Sequence, residues 1–156
     1  MLTIQQAGLE DLEAISQLFN DYRQFYGQAS DMNGVRAFLR DRLERRESVV
    51  FLASLGQHDQ AISHVGLMQV YPSFSSISMK QIWILNDLFV VSKERKHGVG
   101  SALLKRAQCY AQETGAKGLT LQTARSNVNA QRLYESLGWE QDHDFLSYYL
   151  ESGVCI

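Results

Sequence analysis

The chain has 156 residues, a formal net charge of −2 and a hydrophobic fraction of 45%. These ordinary values predict one domain over residues 1–156 and exclude an intrinsically disordered chain. The near-neutral charge argues against a nucleic-acid partner, and no apolar run reaches the roughly 20 residues that span a bilayer. The N-terminus lacks the basic and apolar regions of a signal peptide, so we expect a cytoplasmic protein with no membrane partner.

Hydrophobic periodicity predicts a mixed α/β domain. In chain order the predicted elements are a strand (2–6), two helices (about 9–25 and 32–46), three strands (48–53, 61–71 and 81–91), a helix (about 98–113), a short strand (119–122), a helix from a cap at Ser126 or Asn127 to Leu137, and a last strand (145–150). Tyr71-Pro72-Ser73 is predicted to be a turn, and Gly115 and Gly138 are placed to end the two late helices. This order predicts a largely antiparallel first half and one βαβ unit near the middle.

The cysteines and histidines give no sign of a metal site. Cys109 and Cys155 show neither CxxC spacing nor flanking metal ligands, and we interpret them as reduced thiols. The histidines stand at positions 58, 64, 97 and 143 and form no HxxxH or HxxE pair. The sequence therefore predicts that no metal is bound.

A basic loop with two glycines lies between the strand at 81–91 and the helix that follows. It reads Lys93-Glu94-Arg95-Lys96-His97-Gly98-Val99-Gly100-Ser101. The start of a helix offers unpaired N–H groups to an anion, and glycine lets the anion approach the backbone. From position 93 to 106 the side chains sum to +4. The loop alone fits a phosphate site and a plain strand–turn–helix with solvated lysines equally well.

Two better-known phosphate loops do not match this segment. No GxxxxGK[ST] run occurs, and Leu103 stands where GxGxxG would need its third glycine. A second feature is therefore needed to decide what the loop binds.

That feature is the predicted late helix, in which Asn127 and Tyr134 lie seven residues apart and share one face. Arg-x-x-Gly-x-Gly at 95–100, followed by Asn-x-x-Ala-x-x-Leu-Tyr-x-x-x-Gly-aromatic at 127–139, resembles the GCN5-related N-acetyltransferase (GNAT) family. The resemblance covers about Ile82 to Trp139 well. It implies a mixed, mostly antiparallel twisted sheet flanked by helices, and an N-acetyltransferase with acetyl-CoA as co-substrate.

The resemblance also implies a cofactor site. The loop would bind the pyrophosphate of acetyl-CoA through backbone N–H groups, and the strand before it would pair with the pantetheine arm and the thioester carbonyl. Asn127 would contact the cofactor and is independently a good helix cap. The residues so assigned are Leu88, Phe89, Val90, Arg95, Lys96, His97, Gly98, Val99, Gly100, Ser101, Asn127 and Tyr134.

The catalytic groups are less completely specified. The resemblance implies that Tyr134 protonates the departing thiolate, while an aromatic packed under the sheet is the alternative. Gln122 stands where some relatives carry a glutamate base, and an amide cannot do that work. The base is then Asp87, a water chain, or no dedicated group, and Asp87 fits a hydrogen-bonded strand residue equally well.

The acceptor is expected to be a primary amine of a small molecule or a peptide, acetylated by direct transfer. After Arg132 the side chains sum to −5, which fits either attraction of a cationic amine or an ordinary acidic surface. By analogy with the family, the candidates for the acceptor mouth are Tyr22, Tyr26, Tyr71 and Phe74.

Two other functions remain open from the sequence. One is a CoA-binding sensor or partner module that has the same fold and catalyses nothing. The other is a nucleotide-phosphate binder of unrelated fold. A homodimer is the assembly that we allow for.

Overall fold

The computed structural model describes residues 1–56 and 61–153, and the chain divides into two units, Met1–Gln122 and Thr123–Ile156. The elements of the first unit are β1 (Leu2–Gln6), α1 (Leu12–Phe25), α2 (Met32–Glu44), β2 (Val49–Leu55), β3 (Ser63–Ser75), β4 (Lys80–Val90), α3 (Val99–Glu113) and β5 (Leu119–Leu121). Short 3₁₀ turns at Leu9–Asp11 and Ser92–Glu94 precede α1 and α3. The second unit contains α4 (Val128–Ser136).

The five strands form one sheet in the order β1-β2-β3-β4-β5. The first four are antiparallel to their neighbours, and β5 runs parallel to β4. On one face α1 and α2 pack against the sheet; the buried residues there are Ile15, Leu18, Val35, Leu39, Val50, Leu52, Leu67 and Phe89. On the other face the Tyr110 ring of α3 meets the Phe51 ring at 5.3 Å between centroids. The predicted mixed α/β fold is confirmed.

The junction between α1 and α2 is fixed by one buried amide. Asn20 is 3% exposed; its Nδ2 donates to Ser30 Oγ at 3.0 Å and its Oδ1 accepts from Asp31 N at 2.9 Å. Asp31 in turn caps α2, because its carboxylate accepts from Gly34 N at 2.9 Å. The two helices are therefore held at a set spacing over the face where the candidate site lies.

The predicted turn at Tyr71-Pro72-Ser73 is wrong. These residues lie inside β3, with Pro72 opposite Trp83, and the chain turns instead between Ser75 and Lys80. The pairing of β3 with β2 ends at Val70, so β3 has become an edge strand where Pro72 occurs. An edge position tolerates proline because no ladder N–H is required of it there.

The predicted last strand at 145–150 is also wrong, since the structure assigns no strand to these residues. A strand needs a partner for its backbone N–H and C=O groups. The described part of the second unit contains α4 and no strand to serve as that partner.

The remaining sequence expectations concern thiols, metals and membranes. Cys109 is an exposed free thiol on α3, whereas Cys155 and His58 lie outside the described residues. Within residues 1–56 and 61–153, no three His, Cys, Asp or Glu side chains gather as metal ligands would. In the same ranges no helix combines the length and the apolar character needed to cross a bilayer.

The close packing of α3 on the sheet depends on Gly66. A Cβ at this position would lie 2.9 Å from Phe89 O, 3.3 Å from Val99 Cγ1 and 3.4 Å from Leu103 Cδ1. We expect Gly66→Ala to lower the free energy of unfolding by about 1–3 kcal/mol, since overpacking a dense interior costs that much. Urea denaturation followed by circular dichroism measures the change. Gly118→Ala is the matched control, because its Cβ would meet nothing within 4 Å, and an equal loss in both variants would contradict the packing argument.

Candidate active site

β4 carries one extra residue where it passes β3. Gln69 lies opposite Asp87 and Val70 lies opposite Leu85, so Asn86 has no cross-strand partner. Peptide groups point alternately to the two sides of a strand, and one inserted residue shifts that alternation. Before this bulge, Trp83 turns its N–H toward β5 and donates to Gly118 O at 3.0 Å. Beyond the bulge, the N–H and C=O groups of the even-numbered residues point to the β5 side.

The bulge leaves an open backbone edge on β4. β5 pairs with β4 only at Trp83–Leu85, and no other strand of the described residues continues along this side. Val91 donates its N–H to Val65 O on β3 at 2.9 Å, so the carbonyl of Val90 points the opposite way. The peptide groups of Leu88 and Val90 therefore face the open edge.

Arg95 joins this edge to the basic loop. Its Nε donates to Val90 O at 2.9 Å, and its guanidinium lies 4.7 Å from the centre of the Phe25 ring and 5.8 Å from that of Phe89. The sequence predicted Arg95 as a cofactor-binding residue. In the structure it anchors the loop to both β4 and α1.

The N-terminus of α3 has free donors. Gly98 is the N-cap residue at φ 84°, and no side chain in the described part of the chain caps the helix. The first helical hydrogen bond runs from Ala102 N to Gly98 O at 2.9 Å. The N–H groups of residues 99–101 therefore have no partner inside the helix. They mark the place where the sequence predicted a phosphate.

The backbone and charges of the loop support that prediction. Lys96 is held in the left-handed region at φ 64°, a conformation that costs about 1–2 kcal/mol outside glycine. Such strain concentrates at functional sites. Lys93 and Lys96 are exposed, while His97 Nδ1 lies 3.6 Å from Glu94 Oε2. The loop therefore presents cationic side chains beside the free N–H groups of α3.

On the α1 side of β4 the bulge places a buried carboxylate. Asp87 is 5% exposed and is surrounded by donors. Gln69 Nε2 donates to its Oδ2 at 2.8 Å, and Asn86 Nδ2 lies 3.2 Å from each carboxylate oxygen. The Tyr22 hydroxyl of α1 completes the set with a further hydrogen bond.

Burial and hydrogen bonding act on this carboxyl in opposite directions. Burial raises the pKa of Asp87, and the donors from Gln69, Asn86 and Tyr22 lower it by a smaller amount. The net pKa lies above the ordinary value of 3.8. A carboxylate that binds a proton more readily than usual is better suited to act as a general base near neutral pH.

Two of the four aromatic candidates for the acceptor mouth join this network. Tyr22 bonds to Asp87, and Gln69 Nε2 also donates to Tyr71 Oη at 3.0 Å. The Tyr26 ring meets that of Tyr22 edge-on at 5.1 Å. Phe74 lies further along the β3–β4 hairpin and is 75% exposed.

The second unit holds the other two predicted site residues, both on α4. Asn127 is the N-cap and its Oδ1 accepts from Ala130 N at 3.3 Å, which confirms the predicted cap. Tyr134 lies in the last turn, where its carbonyl accepts from Trp139 N at 3.1 Å and the two rings are 6.0 Å apart. Gly138, at φ 88°, ends the helix as predicted.

Comparison with known proteins decides the family. Residues 12–139 match the profile of the Acetyltransferase (GNAT) family. The chain belongs to the GNAT family. An uncharacterized N-acetyltransferase of Bacillus subtilis, YhfO, is 50% identical over 149 residues, covering 96% of this chain and 97% of that protein. A probable acetyltransferase of Haemophilus influenzae is 30% identical over 130 residues, covering 83% and 84% of the two chains.

A solved structure agrees with this assignment. The crystal structure of a probable acetyltransferase is 41% identical, superposes with a TM-score of 0.89, and covers 97% of this chain and 98% of its own. The GNAT fold and an acetyltransferase activity, both expected from the sequence, are thus confirmed. GNAT enzymes generally use acetyl-CoA as their co-substrate.

Gln69 is the hydrogen-bond partner of Asp87 that the sequence did not single out. It stands in the run Val65-Gly66-Leu67-Met68-Gln69-Val70, where every neighbour is apolar or glycine. A polar residue within a buried strand needs a hydrogen-bond partner. That mismatch was the available signal, and the partners proved to be Asp87 and Tyr71.

Proposed function

We propose that this GNAT protein transfers the acetyl group of acetyl-CoA directly to a primary amine of a small molecule or a peptide. The observation that carries the proposal is the junction of two sets of free backbone donors. The N-terminus of α3 is uncapped, and the open edge of β4 is joined to it through the bond from Arg95 to Val90. This junction suits a ligand with an anionic end and an extended, amide-bearing arm.

The anionic end of acetyl-CoA would bind at α3. N–H groups at a helix N-terminus, together with the helix dipole, favour a pyrophosphate. Lys93 and Lys96 would add charge attraction that weakens as salt is added. The pantetheine arm would then pair with the peptide groups of Leu88 and Val90.

The chemistry assigned to these residues is an acyl transfer without a covalent enzyme intermediate. The amine gives up a proton to Asp87 and its nitrogen bonds to the thioester carbonyl carbon. An N–H of the β4 edge donates to the carbonyl oxygen as negative charge develops there. The carbon–sulfur bond then breaks, and Tyr134 donates its proton to the departing thiolate.

A thiol-release assay tests the function as a whole. The protein is incubated with acetyl-CoA and separate panels of polyamines, amino acids, aminoglycosides and peptides, and free CoA is measured with a thiol reagent. We expect amine-dependent release with at least one panel. Release of no CoA with any amine, despite binding of acetyl-CoA by calorimetry, would contradict the proposal. Mass spectrometry of the protein after incubation tests direct transfer, which an acetylated intermediate would contradict.

The anion site is tested with a pair of glycine variants. Gly98 and Gly115 flank α3 at φ 84° and 68°, and a Cβ at either meets nothing within 4 Å. Gly98→Ala and Gly115→Ala should therefore lower the free energy of unfolding by similar amounts, about 1–2 kcal/mol. Only Gly98→Ala should raise the Kd for acetyl-CoA, by about tenfold, because relief of the strain turns the first N–H groups of α3 away. Calorimetry measures the unfolding and the Kd for acetyl-CoA of both variants. If the two variants have equal Kd values, the pyrophosphate binds elsewhere.

A further inference from the structure

The orientation of the Gln69 side-chain amide leaves one of its polar atoms unpaired, which costs free energy. Gln69 is 0% exposed, and both hydrogens of its Nε2 are used, one toward Asp87 Oδ2 at 2.8 Å and one toward Tyr71 Oη at 3.0 Å. Its Oε1 is buried and has no hydrogen-bond partner among residues 1–56 and 61–153. A buried acceptor without a donor costs about 1–3 kcal/mol.

Of two alternative arrangements, a rotated amide would not relieve this cost, whereas an apolar side chain would. A rotation of the amide by half a turn would bring Oε1 against the Asp87 carboxylate, and two acceptors repel one another. Replacement of the amide by an apolar side chain would remove the unpaired oxygen and would suit the apolar strand around it. The arrangement that the fold adopts instead keeps two donors between an acid and a phenol. A buried group that remains unsatisfied calls for a functional explanation.

We propose that Gln69 is a positioning residue, whose amide nitrogen fixes the Asp87 carboxylate and the Tyr71 hydroxyl so that the carboxylate accepts the proton of the acceptor amine. The inference rests on the proposed function, in which Asp87 is the base. Gln69 itself touches neither the amine nor acetyl-CoA in this scheme. It acts through the oxygen atoms that it holds.

None of the ionisable groups that the structure describes around Asp87 and Tyr71 replaces Gln69 in holding the Asp87 carboxylate. Tyr22 on α1 donates to Asp87, and Tyr71 on β3 has its pKa raised to about 12 by burial and by the Asp87 charge. Arg42 on α2 acts on Tyr71 in the opposite direction. Tyr71 therefore remains a neutral phenol at physiological pH. In the described structure no cation is hydrogen-bonded to Asp87, so neutral donors hold its carboxylate. Gln69 Nε2 lies 2.8 Å from Oδ2, closer than Asn86 Nδ2 at 3.2 Å.

The test is Gln69→Met, which keeps the length of the side chain and removes both donors. Because the Gln69 bond lowers the pKa of Asp87, its loss should raise that pKa further. Loss of one hydrogen bond to a charged group corresponds to a shift of about one pH unit. We expect the Asp87 carboxyl to titrate about one unit higher by ¹³C NMR of aspartate-labelled protein, with its signal assigned by its absence in Asp87→Asn. The acid limb of kcat/KM should move upward with it.

Asn20→Leu is the matched control. Asn20 is another buried amide of the first unit, and its loss should lower stability without moving the Asp87 titration. An unchanged Asp87 titration in Gln69→Met overturns the inference and reduces Gln69 to a packing residue. If the titration moves while the pH profile of kcat/KM shows no acid limb in either protein, the hold on Asp87 stands and the role of Asp87 as base in the proposed function fails.

Discussion

Replacement of Asp87 by asparagine should lower kcat/KM by about 10²-fold or more and remove the acid limb of the pH profile, since a general base contributes 10²–10⁴-fold. Asp87 is the buried carboxyl of the network described above, and the amide of asparagine cannot accept the amine proton. Steady-state thiol release across a range of pH measures both effects. Full activity in Asp87→Asn would leave a water chain, or no dedicated base, as the explanation.

The control for this variant is Asp21→Asn. Asp21 lies on α1 and accepts a hydrogen bond from Gln17 Nε2 at 2.9 Å, and this contact is exposed. The substitution removes one carboxylate from the chain without touching the network. We expect kcat/KM to be unchanged, which separates loss of the base from a general effect of charge.

The substitution Asp87→Asn should also change how the stability of the protein depends on pH. Because the pKa of Asp87 is raised in the folded protein above its ordinary value of 3.8, folding favours the protonated form. The stabilisation from that proton is complete below 3.8 and is lost as the pH rises through the folded-state pKa. The difference in free energy of unfolding, Asp87→Asn minus wild type, should therefore increase as the pH rises. Denaturation at pH 4 and pH 7 measures the trend, and a decline would contradict the raised pKa.

The elements of the fold were predictable where local pattern and tertiary contact agree. The helices followed from apolar residues at helical spacing, and Asn127 and Gly138 marked the ends of α4 as caps should. The turn predicted at Pro72 was wrong because the effect of a proline, which has no N–H, depends on whether a neighbouring strand requires a donor at that position. Whether β2 extends that far is a property of the sheet and not of the local sequence.

The candidate site was predictable in its loop and its carboxylate but not in what connects them. Characteristic residues at fixed spacing identified Gly98, Asn127 and Tyr134 as candidates, because helix termini and helix faces have a regular geometry. The bulge at Asn86 depends on which residues of β3 and β4 lie opposite one another, and no local pattern states that register. The anchoring of Arg95 on Val90 is likewise a contact that only the folded loop creates.

If Tyr134 is the proton donor proposed above, Tyr134→Phe should lower kcat by about 10²–10⁴-fold and leave the Kd for acetyl-CoA nearly unchanged, because phenylalanine lacks the hydroxyl that would protonate the thiolate. Tyr134 is placed by the closing turn of α4 and by its ring contact with Trp139, and phenylalanine preserves both. Steady-state kinetics and calorimetry with acetyl-CoA measure the two quantities. A normal kcat would return Tyr134 to the role of a packed aromatic side chain.

Tyr110→Phe on α3 is the matched control for this variant. The Tyr110 ring packs against Phe51 and Trp83, with centroids 5.3 Å and 5.2 Å away, and phenylalanine keeps those contacts. Its kcat should equal that of the wild type. A fall in both variants would indicate a general sensitivity to loss of a phenol, whereas a fall in Tyr134→Phe alone assigns the proton of the departing thiol to Tyr134. Tyr134 is the tyrosine that the motif places seven residues after Asn127, on α4. That outcome would therefore also assign α4 a role in the reaction of the thioester.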